Sequence, residues 1–299
     1  MADEQEKVQF EPYYAEYHGH KVCHLSRIYH SVAIDPSGSR RKCIWLAGDS
    51  SLDNKYWLTS SPMPALNGYE QVLDPPFMKR DICYFLNQES EESGAVVMNT
   101  AVEATTLRSR VGCFNLSGMQ VQDVFIRDHL EPTDIIVLSV GGNDIALLPT
   151  PSTVINMLCL LYMNSVEDIE AGRAWGLNHF VGLFRDSMRQ YVEKLVERVT
   201  PSAVAICAIY FPDEAATGSW ADWLFNLIGY DAEPAKLQAT IRYIYTHAIQ
   251  EVQVDGVDII PIALYDVLNG KTSSDYVQRV EPSTRGGKKM ARHIWEALP

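Results

Sequence analysis

The stretch Cys43-Ile44-Trp45-Leu46-Ala47-Gly48-Asp49-Ser50 is an apolar run that ends on polar residues. A second run, 134–140, ends in the same way on Gly141-Gly142-Asn143-Asp144. Continuous apolar runs of this length are typical of strands buried on both faces of a parallel sheet. Because the carboxyl ends of parallel strands meet at one edge of an open sheet, we expect the Ser50 hydroxyl and the Asn143 amide to face each other there.

The rest of the chain alternates in the same manner between short apolar runs and segments with helical spacing. The further apolar runs are 95–100, 203–210 and 257–263, and the helical patterns are 184–199, 237–252 and 290–298. Such alternation predicts right-handed crossovers and an α/β fold, with helices on both faces of a parallel sheet of about five strands. The proline-rich Asp74-Pro75-Pro76 predicts a helix start, and Ser117 is a candidate for another.

Residues 1–40 do not follow the alternation. We interpret them as an N-terminal extension, with an extra strand around Lys21–Ile28, and residues 41–299 as the main domain. Two connectors, 145–172 and 211–229, are long and rich in apolar residues. Both follow predicted strands, so they either cap an apolar pocket at the carboxyl edge of the sheet or pack as extra helices on the core.

Composition limits the classes of partner. The net charge is −13, from 25 Lys and Arg against 38 Asp and Glu, and no basic block interrupts it. We therefore expect no nucleic-acid partner. No stretch approaches the about 18 apolar residues of a membrane span. The six cysteines form no C-x-x-C pair, and the N-terminus has no apolar leader, so we expect a cytoplasmic protein without a disulfide framework.

The predicted site pairs a hydroxyl with an amide. A serine hydroxyl becomes a nucleophile only with a base beside it, and the oxyanion that then develops requires fixed hydrogen-bond donors. Ser50, at the end of one predicted strand, supplies the hydroxyl. Asn143, at the end of another, supplies a hydrogen-bond donor for the oxyanion. This pattern favours an acyl-transferring hydrolase.

Three blocks of the chain resemble those of the SGNH (GDSL-type) hydrolase family. They are Gly48-Asp49-Ser50-Ser51-Leu52-Asp53, the stretch 97–106, and Gly141-Gly142-Asn143-Asp144. The resemblance implies that Ser50 is the nucleophile and that Asn143 is the side-chain donor to the oxyanion. It also implies a backbone N–H donor at Ala104, where the family has a glycine.

The resemblance extends over most of the chain, from about residue 41 to the end. It implies a three-layer, flavodoxin-like α/β/α sandwich with sheet order 2-1-3-4-5. It further implies hydrolysis of a small-molecule carboxylic ester, thioester or related acyl group, without a cofactor. The sequence carries no information on the oligomeric state.

The last block departs from the family pattern. The family has an Asp-x-x-His-Pro-Ser turn, whereas this chain has Gln278 and Glu281 in the positions of the aspartate and the histidine. Glu281 is a candidate general base if a dry pocket raises its pKa. The alternatives are a histidine from elsewhere, a catalytically impaired binding or scaffold protein, or an acyltransferase. We predict an esterase with Ser50 and Glu281 as its catalytic residues.

The histidines outside that block carry weaker signals. His293 is the nearest in sequence, on the polar side of the terminal helix, and His129 and His179 lie away from the predicted strand ends. The cluster His18-x-His20-x-x-Cys23-His24 contains zinc-ligand residue types, but its spacing matches no zinc motif. We therefore predict no metal site. Asp53 and Lys55, which follow the serine closely, are expected to support its turn rather than to contact a substrate.

Overall fold

The computed structural model describes residues 7–34, 37–112 and 118–299. At its centre lies a parallel sheet of five strands. They are β1 (Cys43–Gly48), β2 (Val96–Asn99), β3 (Ile135–Ser139), β4 (Ala203–Ala208) and β5 (Ile259–Ala263). Their order is 2-1-3-4-5, and all neighbouring pairs are parallel. The predicted α/β class and strand order are confirmed.

Helices cover this sheet on both faces. In chain order, they are α1 (Phe10–Tyr14), α2 (Val22–Ile28), α3 (Tyr69–Val72), α4 (Ile82–Ser90), α5 (Leu107–Val111), α6 (Val121–His129), α7 (Gly142–Ala146), α8 (Pro151–Tyr162), α9 (Val166–Glu170), α10 (Leu177–Gly182), α11 (Met188–Leu195), α12 (Asp222–Leu227), α13 (Pro234–Ile244) and α14 (Thr284–Ala297). Every residue of β1 to β4 is buried, and successive side chains of a strand point to opposite faces, so neither face is open to solvent.

Shorter elements complete the chain. π-helical turns occur at Tyr29–Ala33, Leu183–Ser187 and Tyr245–Ile249, and 3₁₀ turns at Lys55–Trp57, Glu91–Ser93, Leu264–Asp266 and Ser273–Asp275. The two-residue strand pairs are Val8–Gln9 with Leu73–Asp74, Met63–Pro64 with Phe77–Met78, and Tyr276–Val277 with Glu281–Pro282. Among the described residues, no helix is both long and apolar enough to cross a bilayer.

The N-terminal residues pack on the main domain. The predicted strand at Lys21–Ile28 is wrong, because this segment forms helix α2 with Leu25 and Ile28 buried. These two side chains are three residues apart, which places them on one helical face and not on one face of a strand. Tyr13 and Tyr14 of α1 are also buried in the core.

The predicted helix start at Asp74-Pro75-Pro76 is also wrong. Asp74 ends a short strand whose partner is Val8–Gln9, and its carboxylate accepts a hydrogen bond from Gln9 Nε2 at 3.1 Å. The helix begins later, at Ile82, where the Asp81 carboxylate caps it by accepting from Tyr84 N. The other proposed start, Ser117, lies outside the described residues. Helix α6 begins at Val121.

The two long connectors contain helices near the carboxyl edge of the sheet. Helices α8 and α9 lie in the first, and α12 lies in the second. Tyr162 at the end of α8 donates through its hydroxyl to Leu227 O at 2.5 Å, which joins the two segments. Side chains of both segments, among them Ile145 and Leu224, line the same cavity as Ser50 and Asn143, which follow β1 and β3.

Candidate active site

The turn after β1 is held by glycine and by a buried carboxylate. Gly48 has φ 132°, and a Cβ at this position would lie 1.8 Å from Ser139 O, so only glycine fits. Asp49 Oδ1 accepts from Ser51 N and Ser51 Oγ, and Asp49 Oδ2 accepts from Gly141 N at 3.2 Å. Asp49 thereby ties the Ser50 turn to the loop that carries Asn143.

Ser50 meets Glu281 at this turn. Ser50 Oγ donates a hydrogen bond to Glu281 Oε1 at 3.2 Å. Both side chains are nearly inaccessible, since Ser50 is 9% and Glu281 4% exposed. The hairpin of Tyr276–Val277 and Glu281–Pro282 presents the carboxyl group, and Asn54 Nδ2 donates to Pro282 O to hold it. The two side chains predicted as nucleophile and base are therefore in direct contact.

The pKa of the Glu281 carboxyl group is raised into the range near neutral pH. Burial, followed by the negative charge of Glu103, raises the pKa of Glu281 to about 8, while the hydrogen bond from Ser50 acts in the opposite direction. A carboxylate with such a pKa is a stronger base than an exposed one. Its second oxygen, Oε2, is buried and has no hydrogen-bond partner among the described residues.

Gln278 does not orient Glu281. Its side-chain Oε1 accepts from Trp220 N at 3.3 Å, and its carbonyl accepts from Ser219 Oγ, so it contacts the second connector. The side chain of the neighbouring Arg279 is fully buried. Gln278 and Arg279 both have left-handed backbones, with φ 52° and 66°, which the tight hairpin requires.

Arg279 fastens the hairpin to α12. Its guanidinium lies 3.1 Å from Asp222 and 2.8 Å from Asp231, and it stands 4.7 Å from the centre of the Phe225 ring. A buried arginine with two carboxylate partners fixes the chain around it strongly, because removal of one partner leaves a charge unpaired. The position of Glu281, two residues further on, therefore depends on this cluster.

The predicted oxyanion donors border the same space. Asn143 lies in the first turn of α7 and donates through Nδ2 to Thr105 O at 2.9 Å, while Asp144 accepts from Leu107 N and Arg108 N. An amide group carries two N–H donors, so one remains for a ligand. Ala104 has φ 58°, the left-handed conformation that glycine adopts most readily. The backbone thus has the conformation expected of a glycine at this position.

Glu103 is the residue that the sequence analysis did not recognise. Its Oε1 accepts from Trp57 Nε1 at 2.5 Å, and its Oε2 is buried without a partner among the described residues. Burial, then the charge of Asp53, raises the pKa of Glu103 to about 8. Its position directly before Ala104 is the one sequence signal that could have drawn attention to it.

A buried ion pair lies next to the Ser50 turn and Glu103. Lys55 Nζ lies 2.5 Å from Asp53 Oδ1, and both side chains are fully buried. Asp53 Oδ2 accepts from Glu103 N at 3.2 Å, which connects the serine turn to the second block. Neither residue lines the cavities described next, in agreement with the supporting role expected of them.

Two cavities meet at Ser50. The first, of about 110 Å³, is almost wholly apolar, and the second, of about 210 Å³, is bordered by carboxyl and aromatic groups. Ser50, Asn143, Trp220 and Glu281 line both, whereas Ala104 lines only the second. The apolar lining comes from both connectors and α13, and includes Ile145, Ala146, Leu224, Phe225, Ile228, Leu237 and Ile241.

No histidine of the described chain lines either cavity. His179 contacts Thr153 Oγ1 at 3.1 Å, His129 contacts Phe125 O at 2.8 Å, and His293 lies on α14. In the N-terminal cluster, His20 is buried and stacks on Tyr13 with ring centres 3.7 Å apart. Within the described ranges, no group of three or more His, Cys, Asp or Glu side chains is arranged to hold a metal ion.

Comparison with known proteins gives similarity only at the level of structure. No protein-family model matches the chain, and no curated protein does. A carbohydrate acetylesterase from Sinorhizobium meliloti is 13% identical with a TM-score of 0.43, over 86% of this chain and 97% of that chain. An acetylxylan esterase from Geobacillus stearothermophilus is 12% identical with a TM-score of 0.45, over 86% and 93%. A lipase/acylhydrolase from Enterococcus faecalis is 14% identical with a TM-score of 0.42, over 85% and 94%. Values this low do not by themselves assign an activity to this chain.

Proposed function

We propose that this chain is an SGNH-type serine hydrolase that cleaves a carboxylic ester through an acyl-enzyme on Ser50, with Glu281 as its general base. The observation that carries the proposal is the 3.2 Å hydrogen bond from Ser50 Oγ to Glu281 Oε1, made where the two cavities meet. A nucleophile and its base within hydrogen-bond reach, beside a concave apolar site, are the parts that acyl transfer requires.

The reaction then proceeds in two halves. Ser50 Oγ attacks the ester carbonyl and passes its proton to Glu281, and the tetrahedral oxyanion accepts hydrogen bonds from Asn143 Nδ2 and the backbone N–H groups of Ser50 and Ala104. The C–O bond to the alcohol breaks, and the alcohol leaves with the proton from Glu281. Water next attacks the acyl-enzyme, again losing a proton to Glu281, and the carboxylic acid leaves as Ser50 regains its proton.

Glu281 replaces the imidazole of the family pattern directly. An exposed carboxylate is a poor base for a serine hydroxyl, because its pKa lies far below that of the alcohol. The pKa of about 8 reduces this difference, and proton transfer is most efficient when the pKa of the base is near the working pH. Burial of Glu281 thus supports its role without a histidine between it and Ser50.

The first cavity suits the acyl part of the ester. Its walls are side chains of Ile145, Leu224, Phe225 and Ile241, and no basic group is among its lining residues. Apolar surface transferred from water to such a cavity contributes about 25 cal/mol per Å². We therefore propose an aliphatic or aromatic acyl group as the ligand of this cavity, covered by the connectors 145–172 and 211–229 as a cap.

Labelling with a fluorophosphonate probe and turnover of p-nitrophenyl butyrate test the proposal together. The unmodified protein should label at Ser50 and hydrolyse the ester, and Ser50→Ala should lose both properties. Ser152→Ala on α8 is the matched control and should retain both, since this hydroxyl lies outside both cavities. Equal turnover by the unmodified protein and Ser50→Ala would remove the proposed function.

A second candidate is a binding protein that no longer hydrolyses. The absence of histidine from the residues that line the two cavities favours it. If the protein binds without hydrolysing, the unmodified chain should lack esterase activity, and the double substitution Gln278→Asp with Glu281→His should create it. An acyltransferase would instead give ester or amide products when alcohol or amine acceptors are added, and product analysis by mass spectrometry distinguishes it.

A further inference from the structure

The second cavity has an unusual combination of side chains. Two carboxyl groups, Glu103 and Glu281, border it together with the aromatic side chains of Tyr17, Trp57 and Trp220. Its remaining lining residues are Ser50, Ala104, Asn143 and Leu147, so no basic side chain faces it among the described residues. Glu103 borders only this second cavity, whereas the first cavity is lined mainly by apolar side chains.

Both carboxyl groups keep an oxygen without a partner. Glu103 is 1% and Glu281 4% exposed, and the Oε2 atom of each has no hydrogen-bond partner among the described residues. A buried carboxylate oxygen without a partner is costly, so it indicates a site that a ligand completes. Burial, followed by the charges of Glu103 and Glu281, raises the pKa of the Tyr17 hydroxyl, and a hydrogen bond to Glu103 adds to this, which agrees with the position of both carboxyl groups beside that ring.

The nearby cations are already engaged. Lys55 lies 2.5 Å from Asp53, and the fully buried Arg110 lies 3.1 Å from Asp123 and donates to Gly48 O. Neither side chain borders the cavity. Burial and then the charge of Asp53 raise the pKa of Glu103 more than Lys55 lowers it, and within the described ranges no cationic side chain borders the cavity.

We propose that the second cavity binds a cationic nitrogen in the alcohol part of the ester, so that the substrate class is an ester of an amino alcohol. Glu103 supplies the opposite charge, and Tyr17, Trp57 and Trp220 supply aromatic surface, which attracts cations and is the recurrent means of binding quaternary ammonium groups. The proposal rests on the proposed function, because it places the acyl group in the first cavity and the alcohol in the second.

A bound cation would also lower the proton affinity of Glu281. Glu103 is the charge that most raises the proton affinity of Glu281. A cation beside Glu103 offsets that repulsion, so Glu281 is free to accept the Ser50 proton when the substrate is in place. The unpartnered Trp220 Nε1, which is buried at both cavities, can donate to an ester oxygen at the same time.

A pair of esters of the same shape tests the proposal. Butyrylcholine carries a quaternary nitrogen, and 3,3-dimethylbutyl butyrate carries a carbon in its place. We expect the kcat/KM of the unmodified protein to be about tenfold or more higher for butyrylcholine, and Glu103→Gln to lower this ratio several-fold, with the remainder due to the aromatic rings. Glu296→Gln, on the exposed face of α14, is the matched control and should keep the ratio. Equal kcat/KM for both esters, or an unchanged ratio in Glu103→Gln, would overturn the proposal.

A binding measurement separates this inference from the proposed function. Calorimetry with choline and the Ser50→Ala variant needs no catalysis, and tryptophan fluorescence should report the ligand through Trp57 and Trp220. Saturable binding that Glu103→Gln or Trp57→Leu weakens about tenfold would support the cation site even if the ester were not hydrolysed. Turnover of the neutral ester without any choline binding would support the hydrolase and reject the cation site.

Discussion

Ser50 Oγ and Glu281 Oε1 lie 3.2 Å apart although 231 residues separate them in the chain. The strand end of β1 supplies one partner, and the hairpin before α14 supplies the other. No imidazole stands between them, so the carboxyl group contacts the serine directly. Burial, followed by the charge of Glu103, raises the pKa of this carboxyl group to about 8, which supports the proposed role of Glu281 as a base.

Removal of the Glu281 charge should abolish most activity. Glu281→Gln keeps the size of the side chain and cannot accept the proton, so we expect kcat for p-nitrophenyl butyrate to fall by about 10²–10⁴. Glu296→Gln should remain within about twofold of the unmodified protein. Steady-state kinetics and far-UV circular dichroism measure both effects, and a folded Glu281→Gln with full activity would contradict the role of the base.

Activity should rise with pH. Glu281 acts as a base only when deprotonated, and its pKa of about 8 is above the usual value, so kcat/KM for an uncharged ester should increase as the pH passes through about 8. The groups that act on it are Glu103, Asp49 and Asp53, which raise the pKa, and Ser50, which lowers it. Glu103→Gln removes the largest charge contribution, so the midpoint should move to lower pH. An unmoved midpoint would contradict this coupling.

The conformation of Ala104 predicts how the second block responds to substitution. A left-handed backbone costs an L-residue about 1–2 kcal/mol, and glycine loses about 0.5–1 kcal/mol of chain entropy on folding. Ala104→Gly should therefore change the free energy of unfolding little or increase it, while Ala101→Gly, at an ordinary φ, should decrease it by about 1 kcal/mol. Urea denaturation compares the two. A larger loss at residue 104 than at residue 101 would contradict the prediction.

The Arg279 cluster should couple stability to activity. Arg279→Met leaves Asp222 and Asp231 without their buried partner, and because these two carboxylates are 25% and 31% exposed we expect a cost of about 1–3 kcal/mol. Because the hairpin then loosens, kcat should fall as well. Arg292→Met removes an exposed pair with Glu296 and should cost at most about 0.5 kcal/mol. Comparable denaturation midpoints for the two variants would contradict the predicted contribution of the Arg279 ion pairs to stability.

The depth of the first cavity predicts the preferred acyl length. Ile145 and Ile241 also border a smaller apolar cavity of about 20 Å³ between α8, α10 and α13. Ile145→Ala should join the two spaces and favour longer chains, whereas Ile145→Trp should favour acetyl over longer esters. Rates for p-nitrophenyl esters of two to twelve carbons measure the shift. Ile155→Trp, at an exposed position of α8, is the control and should leave the profile unchanged.

The fold could be predicted because its signals are local. Each buried strand is a continuous apolar run, and β1 occupies the residues of its run, Cys43–Gly48. The errors arose where a tertiary contact overrides a local signal. Asp74 before two prolines has the pattern of a helix start, yet it pairs as a strand with Val8–Gln9. Similarly, α2 forms where Leu25 and Ile28 can be buried against the core.

The sequence by itself determined the α/β architecture, the strand order that the family resemblance implied, and the candidate residues Ser50, Ala104, Asn143 and Glu281. Only the tertiary structure decided that Glu103 joins Glu281 beside the serine and that, within the described residues, no histidine borders the two cavities. The physical reason is that apolar runs are local features of the sequence. The burial of a side chain and the charges near it depend instead on which distant segments come into contact. The proton affinities of Glu103 and Glu281 depend on those neighbours, so they could not be predicted from the sequence.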